Sequence, residues 1–80
     1  MRIRLRLYAD FAGKMPAALD AEGAAPLELP EGARVADVLD RFQIPRAEAY
    51  VILLDGRHAA PETPLPEGAE LAIFPAIVGG

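Results

Sequence analysis

From Arg2 to Leu7 the chain alternates strictly, with Arg2, Arg4 and Arg6 interleaved with Ile3, Leu5 and Leu7. A period of two is that of a strand with one face on a core and one in water. The three arginines are therefore expected on a plain solvated stripe, with Tyr8 and Phe11 capping one end of the core. The period is lost in residues 12–26, which are rich in Ala, Gly and Pro. This stretch reads as a loop that widens a first hairpin and admits a helical turn at Ala17–Asp20. Leu27-Glu28-Leu29 resumes the alternation as a second strand, closed by Pro30-Glu31-Gly32.

The period then changes. Val35, Val38, Leu39 and Phe42 stand at i, i+3, i+4 and i+7, the apolar stripe of an amphipathic helix with Asp37, Asp40 and Arg41 outward. Arg34 is a poor N-cap, and Pro45 is expected to end the helix because residues before proline avoid the helical region. Tyr50 to Leu54 is an unbroken apolar run, expected to be a strand covered on both faces. Asp55-Gly56 marks a tight turn, residues 61–66 a loop and Glu67-Gly68 a second turn. Glu70 to Phe74 is the last strand, giving the order β-β-α-β-β. Alternation turns Leu71 and Ile73 inward, so Phe74 faces outward, where no second helix in the sequence could cover it.

Eighty residues make one domain, and a chain this short buries only about 60% of its unfolded surface. The reactive inventory is thin. There is no Cys and no Ser, and a single His (His58), Thr (Thr63), Gln (Gln43) and Lys (Lys14). A Ser or Cys nucleophile and a Cys/His zinc site are therefore excluded. The carboxylates are scattered without metal-loop spacing, so no metal site is expected. His58 reads as a surface loop residue without a catalytic partner, and Lys14 as a solvated loop lysine, the lone acceptor for any self-conjugation. A net charge of −4 argues against nucleic acid as the main partner. No apolar run approaches the roughly 20 residues that span a bilayer, and no secretory signal core is present, which places the chain in the cytoplasm.

What remains is the end of the chain. The last strand runs through Pro75, Ala76, Ile77 and Val78 into Gly79-Gly80, with no polar linker between. A terminal diglycine adopts backbone conformations closed to other residues and can thread a slot too narrow for side chains. It leaves the Gly80 carboxylate as the least hindered carbonyl of the molecule. Residues 75–80 are expected to form an extended flexible tail reaching at most about 20 Å. Phe74, Pro75, Ile77 and Val78 are expected to contact a partner, since aromatic anchors and exposed apolar residues mark interfaces.

The order of elements, Pro30-Glu31-Gly32-Ala33 before Val35-Ala36-Asp37-Val38-Leu39, Asp55-Gly56, Thr63-Pro64-Leu65-Pro66-Glu67-Gly68, and Phe74-Pro75 leading to Gly79-Gly80 together resemble one family. It is that of the ubiquitin-like sulfur carriers, comprising the small subunit of molybdopterin synthase and the thiamine-biosynthesis sulfur carrier. The resemblance covers most of the chain outside residues 12–26. It implies an α+β, ubiquitin-like β-grasp, a mixed sheet wrapped on one helix with the first and last strands parallel at its centre. Departures are Asp55 where many relatives have Asn, Arg34 in place of a capping Thr, and Ala76 where the molybdopterin subunit often has Pro.

The resemblance also implies a mechanism. An E1-like adenylating enzyme uses ATP to activate the carboxylate of Gly80, and sulfur from a persulfide donor displaces AMP. The resulting thiocarboxylate delivers sulfur to a precursor inside a larger synthase subunit. The chain would bind no cofactor itself and would be a carrier subunit, not an enzyme. Phe74-Pro75 and the apolar tail are more similar to the molybdopterin subunit than to the thiamine carrier; the thiamine carrier and sulfur carriers of other pathways stay alternatives. So do a modifier joined through Gly80 to lysine and a β-grasp interaction module with an inert terminus.

Overall fold

The computed structural model describes residues 1–76. Ile77, Val78, Gly79 and Gly80 lie outside the described residues. Five strands form one sheet: β1 (Arg2–Leu7), β2 (Ala25–Glu28), β3 (Val51–Leu54), β4 (Arg57–His58) and β5 (Glu70–Phe74). One helix, α1 (Val35–Arg41), lies between β2 and β3 in sequence. The spatial order is β2-β1-β5-β3-β4. The first and last strands pair in parallel with Leu5 beside Leu71 and Leu7 beside Ile73, and every other pairing is antiparallel. The short β4 extends the expected order by one strand. It carries His58, which is exposed and pairs with Leu53 rather than sitting in a loop.

Alternation built the core as expected. Ile3, Leu5, Leu71 and Ile73 are fully buried and share one cluster with Val35, Val38 and Leu39 of α1. Phe42 packs at its margin, half-buried, with the Arg41 guanidinium 5.8 Å from its ring centre. Phe11 does close one end of the core, but Tyr8 does not: it is 37% exposed on the outer face. The helical turn forms earlier than expected, as a 3-10 segment Ala9–Lys14 that delivers Phe11 to the core. Met15 leaves it in an extended conformation (φ −62°, ψ 140°), as a residue before Pro16 should. β2 starts two residues earlier than expected, and Leu29 stays buried beyond its end, its N–H donating to the Met1 carbonyl at 2.8 Å.

The two ends of α1 are capped differently. Asp37 accepts the backbone N–H of Arg34 at 2.7 Å. The first free amides are taken by the loop that follows β4, Val35 donating to the Thr63 carbonyl at 3.0 Å and Ala36 to that of Pro61 at 2.8 Å. At the other end Gln43 adopts φ +56°, with Ile44 donating to the Leu39 carbonyl and Gln43 to that of Asp40. This is a Schellman motif, with buried Leu39 and Ile44 as its apolar contact. Helix α1 therefore ends in a left-handed residue, ahead of Pro45.

The expected cover on both faces of β3 is corrected. Only Ile52 is buried, Val51 and Leu53 are half-buried, and Tyr50 is 72% exposed. No second layer lies over the outer face among the described residues, so that face of an apolar strand stays open. The Asp55-Gly56 turn forms as expected, with φ +51° and +83°, a two-residue hairpin that needs both residues left-handed. Asp55 also accepts the Glu70 N–H at 2.9 Å, tying the hairpin to the start of β5.

Candidate functional site: the sheet end where the last strand leaves

The outer face of the sheet divides into a charged and an apolar half. In the charged half Arg4 is the hub. Its Nε donates to Asp20 at 2.8 Å, one terminal nitrogen to Glu70 at 2.8 Å and the other to Glu22 at 2.9 Å. Arg6 approaches Glu70 at 3.3 Å and donates to the Glu22 carbonyl, and Arg2 pairs with Glu28. The stripe is thus a network fastening residues 20–24 to β1 and β5, not a plain solvated face. Asp20 is its anchor. Besides Arg4, it accepts the N–H groups of Glu22 and Ala24, and these bonds, that from Arg4 first, lower its pKa to about 2. The periodic arginines were visible in the sequence; their partners in residues 12–26 were not.

The apolar half surrounds the carboxyl end of β5. A cavity of about 470 Å³ opens there, lined by Ala9, Tyr50, Val51, Leu53, Phe74 and Pro75. Phe74 faces outward as alternation requires, yet it is not bare. It stacks on Tyr8 with centroids 4.3 Å apart and planes 8° from parallel, and its other neighbour in register is Val51. Stacked pairs of this kind contribute about 0.5–1.5 kcal/mol beyond area burial. Pro75 follows at the rim, half-buried, and Ala76 is exposed.

Two turns flank this exit. β1 leaves the sheet at Ala9, whose φ of +53° is strained for a residue with a Cβ, by roughly 1–2 kcal/mol. On the other side the chain enters β3 through a short 3-10 turn, Arg46–Glu48, followed by exposed Tyr50. Among the described residues the lining contains no charged side chain, and no group of acidic, His or Cys residues could hold a metal. The described part of this surface offers apolar contact and stacking, and its one acid or base is the Tyr50 phenol.

The structure places Phe74 and Pro75 at this cavity, beside Ala9, Tyr50, Val51 and Leu53, with Tyr8 stacked on Phe74. The other expected site residues, Ile77, Val78, Gly79 and Gly80, lie outside the described residues. His58 is on β4 and lines no part of the cavity, and Lys14 sits with its amine 3.5 Å from the Gln43 carbonyl. Among the described residues, no helix is long and apolar enough to cross a membrane.

A mixed five-stranded sheet with parallel central first and last strands, packed on one helix, is a ubiquitin-like β-grasp. The solved structures that superpose on it agree. SAMP1 from Haloferax volcanii matches with a TM-score of 0.69 and 23% identity over 100% of both chains. The "Putative molybdopterin converting factor, subunit 1" from Pyrococcus furiosus matches with a TM-score of 0.66 and 23% identity, over 95% of this chain and 98% of that one. A second structure of the Haloferax volcanii small archaeal modifier protein 1 gives 0.65 and 24% over the same shares. At such identities the likeness is one of fold. The sequence itself goes further: residues 17–80 match the ThiS family, and the chain belongs to that family. No protein of curated function matches it significantly.

Proposed function

We propose that this protein is a sulfur carrier whose reactive group is the carboxylate of Gly80. The observation that carries the reading is the exit of β5. A central strand, held on both sides, ends in Phe74-Pro75 at an apolar surface without catalytic side chains. A fold so built supplies a rigid handle and a point of departure, while the chemistry belongs to the end of the chain and to partner enzymes. Membership of the ThiS family supports the same reading.

In this account an E1-like enzyme adenylates Gly80 with ATP. A free carboxylate resists attack because oxide would have to leave; in the mixed anhydride, AMP leaves instead. The outer sulfur of a donor persulfide attacks the carbonyl carbon and AMP leaves, giving an acyl disulfide; a donor thiol then breaks its S–S bond, is itself oxidised to a disulfide, and releases the thiocarboxylate. Gly79 and Gly80 allow close approach of the backbone to the activating site. Phe74, Pro75, Ile77 and Val78 make the partner contacts, and the thiocarboxylate then gives up its sulfur inside a larger synthase subunit, most specifically that of molybdopterin synthesis. Phe74-Pro75 and the apolar residues after them, more similar to the molybdopterin subunit than to the thiamine carrier, favour this pathway over the thiamine one.

The modifier likenesses keep a second reading in view, in which Gly80 is joined to a lysine. Both routes begin with the same adenylate. The test is ATP–pyrophosphate exchange by the cognate activating enzyme, using the intact chain and a chain lacking Gly80. The carrier reading expects exchange with the first and none with the second, at equal melting temperatures. Equal exchange by both would remove Gly80 from the chemistry.

A further inference from the structure

We propose that Tyr8 is a positioning residue for the carboxyl-terminal segment, clamping Phe74 so that the ordered sheet ends at a fixed point. The inference rests on the carrier reading for its purpose, but not for its test. β1 and β5 are parallel neighbours running toward the same end of the sheet. At Ala9 the chain turns aside in a left-handed conformation and enters the 3-10 segment. Immediately before the turn, Tyr8 makes two contacts with the end of β5. Its N–H donates to the Ile73 carbonyl at 3.1 Å, and its ring lies flat on Phe74.

Phe74 is the last residue of β5, paired in register with Val51 on one side; its ring faces outward, and a strand end is where local opening begins. The stack covers one ring face of Phe74 and is absent from the other strands of the sheet. Removing it loosens the end of β5, so that a partner docking there must first order Phe74 at added cost.

Backbone ¹⁵N relaxation on the full chain tests this, with wild type, Tyr8→Phe, Tyr8→Ala and Tyr8→Leu compared. The clamp predicts an order parameter at Phe74 near the rigid value of about 0.85 in wild type and in Tyr8→Phe, which keeps the stack. In Tyr8→Ala and Tyr8→Leu it falls below about 0.6, while Leu71 stays rigid. A residue that only adds global stability would lower the melting temperature without moving the point where order ends. Tyr8→Leu retains apolar bulk and guards against an alanine variant that fails to fold. Phe74 remaining rigid in Tyr8→Leu overturns the proposal. If wild type is not adenylated by its activating enzyme, the carrier reading fails, and the relaxation result still decides the clamp.

Discussion

Replacing Phe74 with alanine separates the packing of its ring on Tyr8, which the structure shows, from the docking role proposed for it. Phe74 is partly buried, which corresponds to about 1–2 kcal/mol of the 1.5–3 kcal/mol for full burial of such a side chain. The parallel stack on Tyr8 adds about 0.5–1.5 kcal/mol. Alternation alone would suggest a bare ring and an unmoved melting temperature; the stack changes that expectation. A total near 2 kcal/mol, at about 4–8 °C per kcal/mol for a domain of this size, lowers the melting temperature by roughly 8–16 °C. The Tyr8→Ala/Phe74→Ala double-mutant cycle should return a coupling of about 0.5–1.5 kcal/mol. Measured on the folded protein, affinity for the larger synthase subunit should fall by about thirtyfold, the equivalent of an interface anchor worth about 2 kcal/mol. Calorimetric melting and titration calorimetry read the two effects separately. A variant that melts as predicted yet binds at native affinity refutes the docking role, and an unshifted melting temperature with zero coupling refutes the stack.

The core and the ion network make their own predictions. Leu39→Ala removes a fully buried side chain that also closes the Schellman contact with Ile44, and should cost about 2–5 kcal/mol. Thermal unfolding reads this directly, and a native melting curve would mean that α1 does not pack on the sheet. Asp20 has a folded pKa of about 2 against 3.8 unperturbed, so the stability it contributes is present above pH 4 and is lost as pH falls toward 2. Asp20→Asn should be less stable at neutral pH and should show a flatter loss of stability across that acidic window in denaturant titrations. Parallel acid profiles for the two proteins would show that the Arg4–Asp20 bond is not a determinant.

Much of this architecture is legible in the sequence because local rules and tertiary packing agree there. Ile3-Leu5-Leu7 and Leu71-Ile73 alternate, and both sets are buried; Val35, Val38 and Leu39 keep helical spacing, and all face the sheet. The misreadings lie where a distant residue completes a local motif. Val35 and Ala36 find their hydrogen-bond acceptors in the carbonyls of Thr63 and Pro61 respectively, which no window around Arg34 contains. Asp20 is held by Arg4, so its segment reads as featureless loop until β1 is placed beside it. The run Tyr50–Leu54 was expected to be covered because it is continuously apolar; its outer face is instead part of the open surface. That surface was partly legible. Once β5 lies between β1 and β3, alternation alone sets Tyr8, Phe74, Val51 and Leu53 on one face.

The central claim is that the reactive group of this protein is its terminal carboxylate, charged with sulfur. Intact-mass analysis of the protein purified from its native host tests it most directly. The carrier account predicts a population heavier by the exchange of one oxygen for sulfur, with fragmentation placing the change on Gly80 and alkylation of the thiocarboxylate abolishing it. A population consisting only of the free acid, or of chains joined through Gly80 to lysine, would contradict it.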